Sequence, residues 1–108
     1  MNANYAYVVQ GPNSWISVVD VSNPANPFLV SVLTLNPAPL AVFPFDIDFS
    51  GNYALLPACN NDTLYIVDIS NPASLQVVAT LSGAGAPNFL DCPGGVRVSG
   101  NHAFVAVV

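Results

Sequence analysis

Segments of five to seven residues rich in Val, Ile, Leu, Tyr and Phe recur along the chain, and turn residues such as Gly, Pro, Asn and Ser separate them. In the middle of the chain these segments predict four strands, A to D, at about Phe45–Phe49, Tyr53–Ala58, Leu64–Ile69 and Leu75–Leu81. Residues 50–52 and 70–73 are turn residues, because Gly and Asn tolerate positive φ and Pro cannot continue a strand ladder. No window has a helical period. The pattern therefore predicts an all-β fold.

This pattern occurs more than once along the chain. Residues 4–33 align with residues 52–81 without a gap, at an offset of 48, and twelve of the thirty aligned pairs are identical. The densest match pairs Val19–Ala25 with Val67–Ala73. The Asn-Tyr-Ala that starts each copy recurs a third time as Asn-His-Ala at 101–103. Because both motifs keep the same phase, the match indicates an internal repeat.

A four-stranded unit repeated every 40 to 50 residues is typical of a β-propeller blade. The repeated motif resembles the LVIVD repeat, in which an apolar run ends in Val-Asp and is followed by Ser-Asn-Pro. This motif stands at Val18–Pro24 and at Ile66–Pro72, and Gly-Asn-Tyr-Ala occupies Gly51–Ala54. The resemblance covers nearly the whole chain. It implies propeller blades of a bacterial or archaeal surface or secreted protein, and it implies little about activity.

We therefore predict a single domain over residues 1–108, built of tandem four-stranded antiparallel propeller blades in an incomplete ring. Blade 1 supplies strands B to D at about 4–35, blade 2 supplies all four at about 44–82, and blade 3 begins at about 95–108. These strands make about two and a quarter blades, whereas propellers close with about four to eight. The terminal strands leave unpaired edges. Either further blades of a longer parent chain or other copies of this chain must cover them, in a ring or a fibre.

Composition supports a covered apolar surface. Hydrophobic residues make up 53% of the chain and charged residues only 6%, whereas an ordinary domain has about 25% charged residues. No apolar stretch is long enough for a membrane-spanning helix, so we expect no membrane insertion. A net charge of −5 with Arg97 as the only Lys or Arg argues against nucleic acid as a partner. We therefore expect neighbouring protein to cover the excess apolar surface.

Location is predicted from the same composition. The first five residues contain neither a basic nor an apolar signal region, so no signal peptide is expected. Most polar residues are Asn, Ser and Thr, and Pro is also frequent, which suits a secreted or cell-surface protein.

Acidic residues end strand C in both copies. Asp20 and Asp68 precede Ser-Asn-Pro, where a carboxylate can accept hydrogen bonds from the N–H groups of the following turn. Because they recur at one place in the repeat, we assign them a structural role rather than a metal-binding or catalytic one. The same turns contain Asn23, Pro24, Asn71 and Pro72.

The two cysteines lie in loops that a propeller places on one face. Cys59 follows strand B of blade 2, and Cys92 precedes blade 3. In an exported protein we expect them to form a disulfide. Asn61-Asp62-Thr63, in the same B–C loop, makes Asn61 a candidate for N-glycosylation.

Asp46 and Asp48 lie two residues apart on the inner strand and are the best candidates for chemistry. Together with Asp62 and Asp91 they are weak candidates for Ca²⁺ binding. The repeat position of Asp48 is occupied by Arg97 in blade 3, which predicts an inter-blade ion pair between the two. We expect this structural role rather than catalysis, and no cofactor.

Three functions remain open. The leading hypothesis is a non-enzymatic extracellular scaffold whose blades pair with other copies or with further blades. The second is a propeller that recognises a glycan or a protein through its loop face, with Trp15 able to stack on a sugar ring. The third, less favoured, is a hydrolase fragment that uses Asp46 and Asp48. His102, the sole histidine, is interpreted as a packed side chain.

Overall fold

The chain is all-β, as predicted. The computed structural model describes residues 4–10, 14–35, 44 and 46–107, and within them it contains nine strands, one 3-10 turn at Cys59–Asn61 and no α-helix. The strands are β1 (Tyr5–Gln10), β2 (Trp15–Asp20), β3 (Phe28–Thr34), β4 (Asp48–Ser50), β5 (Tyr53–Ala58), β6 (Thr63–Asp68), β7 (Gln76–Ser82), β8 (Pro93–Ser99) and β9 (His102–Val107). No helix in the described part has the length and hydropathy to cross a membrane.

The strands form three antiparallel sheets in sequence order. Blade 1 is the sheet β1-β2-β3, blade 2 is β4-β5-β6-β7, and blade 3 is the hairpin β8-β9. Blade 2 therefore has the four strands A to D of the predicted unit, while blade 1 has B to D and blade 3 has A and B. This arrangement is compatible with blades of an incomplete propeller, as the sequence predicts.

The backbone repeats in detail. The β2–β3 register shifts between Val18 and Val19, and the β6–β7 register shifts between the equivalent residues Ile66 and Val67. The two A–B turns place glycine in the left-handed region, with φ of 57° at Gly51 and 59° at Gly100. A side chain there would strain the backbone, so both turns favour glycine.

Strand A is shorter than predicted. It was expected at Phe45–Phe49, but β4 begins at Asp48, and Phe45 lies outside the described residues. The register of β4 places position 46 opposite Pro57, which has no N–H to donate. The Ile47 N–H instead donates to Oδ1 of Asp46 at 2.8 Å. Pairing resumes only at the isolated bridge between Pro44 and Ala58.

Blade 2 separates two apolar cores because alternate residues of each strand point to opposite faces. One face of blade 2 packs against blade 1, and the buried residues of this core are Ile16, Val18, Leu35, Ala54, Leu56, Ala58, Tyr65, Val67, Ile69 and Leu75. The other face packs against blade 3, where the buried residues are Leu55, Leu64, Leu90 and Val96. Burial on both faces explains why β5 is buried from Ala54 to Ala58.

Candidate functional site

The acidic residue that ends strand C closes the following turn in both blades. Oδ1 of Asp20 accepts hydrogen bonds from the Ser22 N–H at 2.9 Å and from the Ser22 hydroxyl at 2.6 Å. Oδ1 of Asp68 accepts one from the Ser70 N–H at 2.8 Å. Hydrogen bonds from the Ser70 hydroxyl and N–H hold the pKa of Asp68 below its ordinary value, and those from Ser22 do the same for Asp20. Both carboxylates therefore accept hydrogen bonds within the turn that follows strand C.

The next residues of the turn repeat the same device. Oδ1 of Asn23 accepts a hydrogen bond from the Ala25 N–H, and Oδ1 of Asn71 accepts one from the Ala73 N–H, both at 3.1 Å. The turn of blade 2 also connects the blades, because the Ser31 hydroxyl donates to the carbonyl oxygen of Pro72 at 2.6 Å. The Ser-Asn-Pro segment therefore both ends the strand and contacts the preceding blade.

The two inner-strand carboxylates connect blade 2 to blade 3. β8 pairs with β9 along one edge, and its other edge presents the N–H groups of Val96 and Val98. The Val96 N–H donates to Oδ2 of Asp46 at 3.1 Å, and the Val98 N–H donates to Oδ2 of Asp48 at 2.7 Å. An unpaired N–H group near the interior lowers the stability of the fold. The two aspartates prevent this by accepting hydrogen bonds from N–H groups of the neighbouring blade, which no strand of the described residues pairs with on that edge.

The predicted ion pair forms with a different aspartate. Nη1 of Arg97 lies 2.8 Å from Oδ2 of Asp46, so the prediction of an Asp48–Arg97 salt bridge is corrected. The reason is that Asp48 points to the Val98 N–H, while Asp46 lies beside the Arg97 side chain. Burial raises the pKa of Asp46, but hydrogen bonds from Val96, Ile47 and Arg97 and the guanidinium charge outweigh it and hold the pKa below its ordinary value.

Asp48 also stays ionised to low pH. Hydrogen bonds from the Val98 N–H and its neighbour Phe49 lower the pKa of Asp48, and the nearby Arg97 charge adds to the effect. A carboxylate with a lowered pKa is a poor general acid, since the protonated form is scarce near neutral pH. An ionised Asp48 is suited to accept a hydrogen bond from the backbone N–H of Val98.

We expect the Asp46→Asn/Asp48→Asn variant to be less stable than the wild type at pH 7, by about 1 to 2 kcal/mol in total. Hydrogen bonds to charged groups lie at the upper end of the usual range, but nearby solvent weakens them here. Because folding lowers both pKa values, their stabilising contribution is present above the unfolded pKa of about 4 and is lost as pH falls through the folded values. Urea unfolding between pH 7 and pH 2 measures this loss.

The acid-induced loss of stability should be smaller in the double variant, with a remainder from Asp20 and Asp68. Asp91→Asn is the matched control, since Asp91 is exposed and outside this interface. An acid-induced loss of the same size in the double variant and the wild type would contradict a linking role for these carboxylates.

The predicted disulfide is confirmed between Cys59 and Cys92. It joins the 3-10 turn after β5 to the segment that precedes β8. Hydrogen bonds hold the same region: Oδ1 of Asp62 accepts one from the Cys92 N–H at 2.9 Å, and the Asp62 carbonyl oxygen accepts one from the Gly83 N–H at 3.0 Å. The Leu90 N–H donates back to the Gly83 carbonyl oxygen at 2.8 Å. Loop 83–92 is therefore fixed to the B–C turn of blade 2.

Asn61 lies in the same turn, and its side chain is already engaged. Its Nδ2, the atom that would carry a glycan, donates to the Tyr65 hydroxyl at 2.7 Å. Its Oδ1 is buried. A glycan on the folded chain would require this hydrogen bond to break. Glycosylation of Asn61 stays a prediction.

The four carboxylates considered for Ca²⁺ do not form one cluster. Asp46 and Asp48 face the inner edge of β8, whereas Asp62 caps the Cys92 N–H in the disulfide loop. In the part of the chain that the structure describes, no three His, Cys, Asp or Glu side chains group together in a way that could hold a metal ion. Asp91 is exposed beside Cys92.

Trp15 and His102 lie in different blades. Trp15 begins β2, pairs across the strands with Gln10 and Thr34, and is 38% exposed. Sugar stacking by Trp15 stays a prediction. His102 begins β9 and is exposed rather than packed, because the blade 3 hairpin has no strand on its outer side among the described residues.

The outer faces of the first and third blades expose large apolar side chains, and sequence reasoning had not separated these faces from the inner ones. We call the face of blade 1 that points away from blade 2 the front face, and the corresponding face of blade 3 the back face. Val8 on the front face is 46% exposed, whereas its repeat equivalent Leu56 in blade 2 is 0% exposed. Phe104 on the back face is 65% exposed, whereas its equivalent Leu55 is 8% exposed. Comparing equivalent positions of the repeat is the signal that reveals these faces.

Comparison with known proteins agrees with this repeated geometry. Residues 2–34, 45–82 and 94–108 match the family model described as the LVIVD repeat. No curated protein and no solved structure matches the chain. The three matched segments follow the three sheets and cover most of the sequence. The chain therefore belongs to the LVIVD repeat family.

Proposed function

We propose that this chain is a non-enzymatic scaffold, a module of propeller blades that is extended at its front and back faces by blades of the same kind. Other copies of the chain supply these blades, in a ring or a fibre; the remaining blades of a longer propeller would serve the same purpose. The observation that carries the proposal is the contrast in burial between equivalent positions of the repeat.

The contrast has a direct physical meaning. Leu56 is fully buried because blade 1 packs on one side of blade 2. Leu55 is buried because blade 3 packs on the opposite side of blade 2. Val8 and Phe104 occupy the same positions on blades whose outer faces no other sheet of the described residues covers. Large contiguous apolar surfaces on proteins usually mark interaction sites. A further blade on each face would bury these side chains as blade 2 buries its own.

An oxidising environment fits this proposal. Disulfides form and persist mainly outside the cytosol, and the Cys59–Cys92 bond ties two loops of the central blade together. We infer an extracellular location on this ground.

Light scattering coupled to size-exclusion chromatography tests the proposal. We expect the wild type to have a mass that is a multiple of 11.2 kDa and increases with concentration. Phe104→Asp places a charge on the back face and should return the mass to that of one chain. Phe89→Asp is the matched control, because Phe89 is 64% exposed but lies on loop 83–92. A monodisperse single chain at all concentrations would refute self-association, and electron micrographs of the assembly would distinguish a ring from a fibre.

Recognition of a glycan or a protein through the loop face is the second candidate. The observation that favours it is Phe89, which is exposed at φ 53° on the loop that the disulfide fixes. A bulky residue in the left-handed region is strained, and such strain often accompanies function. A glycan array separates this candidate from a pure scaffold, which gives no saturable binding.

A further inference from the structure

The interface between blades 1 and 2 contains a pair of aromatic rings. Tyr7 of β1 and Phe49 of β4 have ring centroids 5.4 Å apart and planes tilted by 56°. Both side chains pack against the core between the two blades. Tilted contacts at this distance are a favourable arrangement for two rings. The rings therefore fill the space between the sheets near the A–B turn of blade 2.

The equivalent interface between blades 2 and 3 has lost both rings. In the repeat alignment Tyr7 corresponds to Leu55 and Phe49 corresponds to Val98. Both replacements have smaller side chains than the residues of the first interface. Protein interiors are close-packed, so two missing rings leave a space unless neighbouring side chains move in.

An open cavity of about 300 Å³ lies at this position, and most of its lining residues are exposed. Its apolar wall is formed by Leu55, Ile66 and Val98, and the exposed residues Tyr53 and His102 also line it. Its remaining lining residues are Ser50, Gly100, Asn101 and Ala103. None of the lining residues is Asp, Glu, Lys or Arg, which favours an uncharged ligand.

The size and lining of this cavity suit a small molecule. Ligand pockets typically start near 300 Å³. Such pockets combine apolar walls with a few polar groups that orient the ligand. Here the hydroxyl of Ser50, which lies opposite Tyr53 in the β4–β5 pair, can donate or accept a hydrogen bond.

We propose that the cavity between blades 2 and 3 binds an uncharged monocyclic aromatic compound with one polar substituent. Its ring takes the place that the Tyr7 and Phe49 rings occupy between blades 1 and 2. The substituent points to Ser50. This site is independent of the proposed scaffold function, since it lies between two blades of one chain.

Titration with p-cresol followed by ¹⁵N–¹H NMR tests the site in the wild-type chain. We expect saturable shifts at the amides of Ser50, Asn101 and His102, with little change near Tyr7. Benzoate, the charged counterpart, should bind at least tenfold more weakly. Absence of saturable shifts, or equal binding of benzoate, would overturn the proposal.

Filling the cavity should abolish binding. The variant Leu55→Tyr/Val98→Phe introduces the ring pair of the first interface and should weaken p-cresol binding at least tenfold without lowering the melting temperature. Val98→Phe alone fills part of the space and serves as the second variant if the double change does not fold. Val77→Phe on β7 is the control and should leave binding unchanged. Unaltered affinity in the folded filled variants would sink the proposal.

Discussion

Replacing both Cys59 and Cys92 by Ser is expected to lower the free energy of unfolding by about 3 to 4 kcal/mol. The bond joins residues with a sequence separation of 33. In the chain-entropy model, closing a loop of this length lowers the conformational entropy of the unfolded chain, which raises its free energy by about that amount. The loss is large for a chain of 108 residues, because small domains have only about 5 to 15 kcal/mol of net stability. Urea unfolding of the variant and the wild type measures it.

A reducing agent provides the control for this prediction. Dithiothreitol should lower the wild-type unfolding midpoint to that of the Ser variant and leave the variant unaffected. The hydrogen bond between Asp62 and the Cys92 N–H should weaken as well, because loop 83–92 would no longer be held by a covalent bond. Equal midpoints for the oxidised wild type and the variant would show that the bond does not stabilise the fold.

Leu56→Ala is expected to destabilise the chain by about 2 to 5 kcal/mol, the usual range for a buried leucine whose removal leaves a cavity. Leu56 is 0% exposed at the centre of the interface between blades 1 and 2. Val8→Ala changes the equivalent position of blade 1, where the side chain is 46% exposed, and should have an effect within about 0.5 kcal/mol for the single chain. Denaturant unfolding at low protein concentration compares the two.

The same pair of variants reports on assembly. If another blade covers Val8 in the assembled state, Val8→Ala should weaken association at high concentration while leaving the single chain intact. Leu56→Ala should lower stability at every concentration. Equal effects of the two substitutions on the single chain would contradict the burial contrast on which the proposed function rests.

Strand positions were largely predictable because the signals are local. Strand B was predicted at Tyr53–Ala58 and is observed at Tyr53–Ala58, since turn residues bound it on both sides. Strands C and D each begin within one residue of their expected positions, at Thr63 and Gln76. The predicted start of strand A was wrong because position 46 lies opposite Pro57, which has no backbone N–H to donate. The register of the two strands decides which residue lies opposite this proline.

The inter-blade contacts were predictable only in kind. Equivalent positions of Asp48 and Arg97 in the repeat indicated that acid and base lie on neighbouring inner strands. The partner of Arg97 proved to be Asp46, because the backbone N–H of Val98 engages Asp48. Comparing side chains at equivalent positions of the repeat does not show which backbone N–H groups are free to donate. The sequence therefore could not show that the Val98 N–H, and not Arg97, would bind Asp48.

The amino-acid sequence alone determined the all-β class, the repeat, the turns and the family, because alternation and turn residues act over a few neighbouring positions. Only the tertiary structure decided which face of each blade is covered, which aspartate meets Arg97, and where the missing rings leave a cavity. The physical reason is that each of these depends on the sheet packed opposite. Val8 and Leu56 occupy equivalent positions of the repeat. Leu56 is buried because blade 1 packs against it, whereas no blade among the described residues covers Val8.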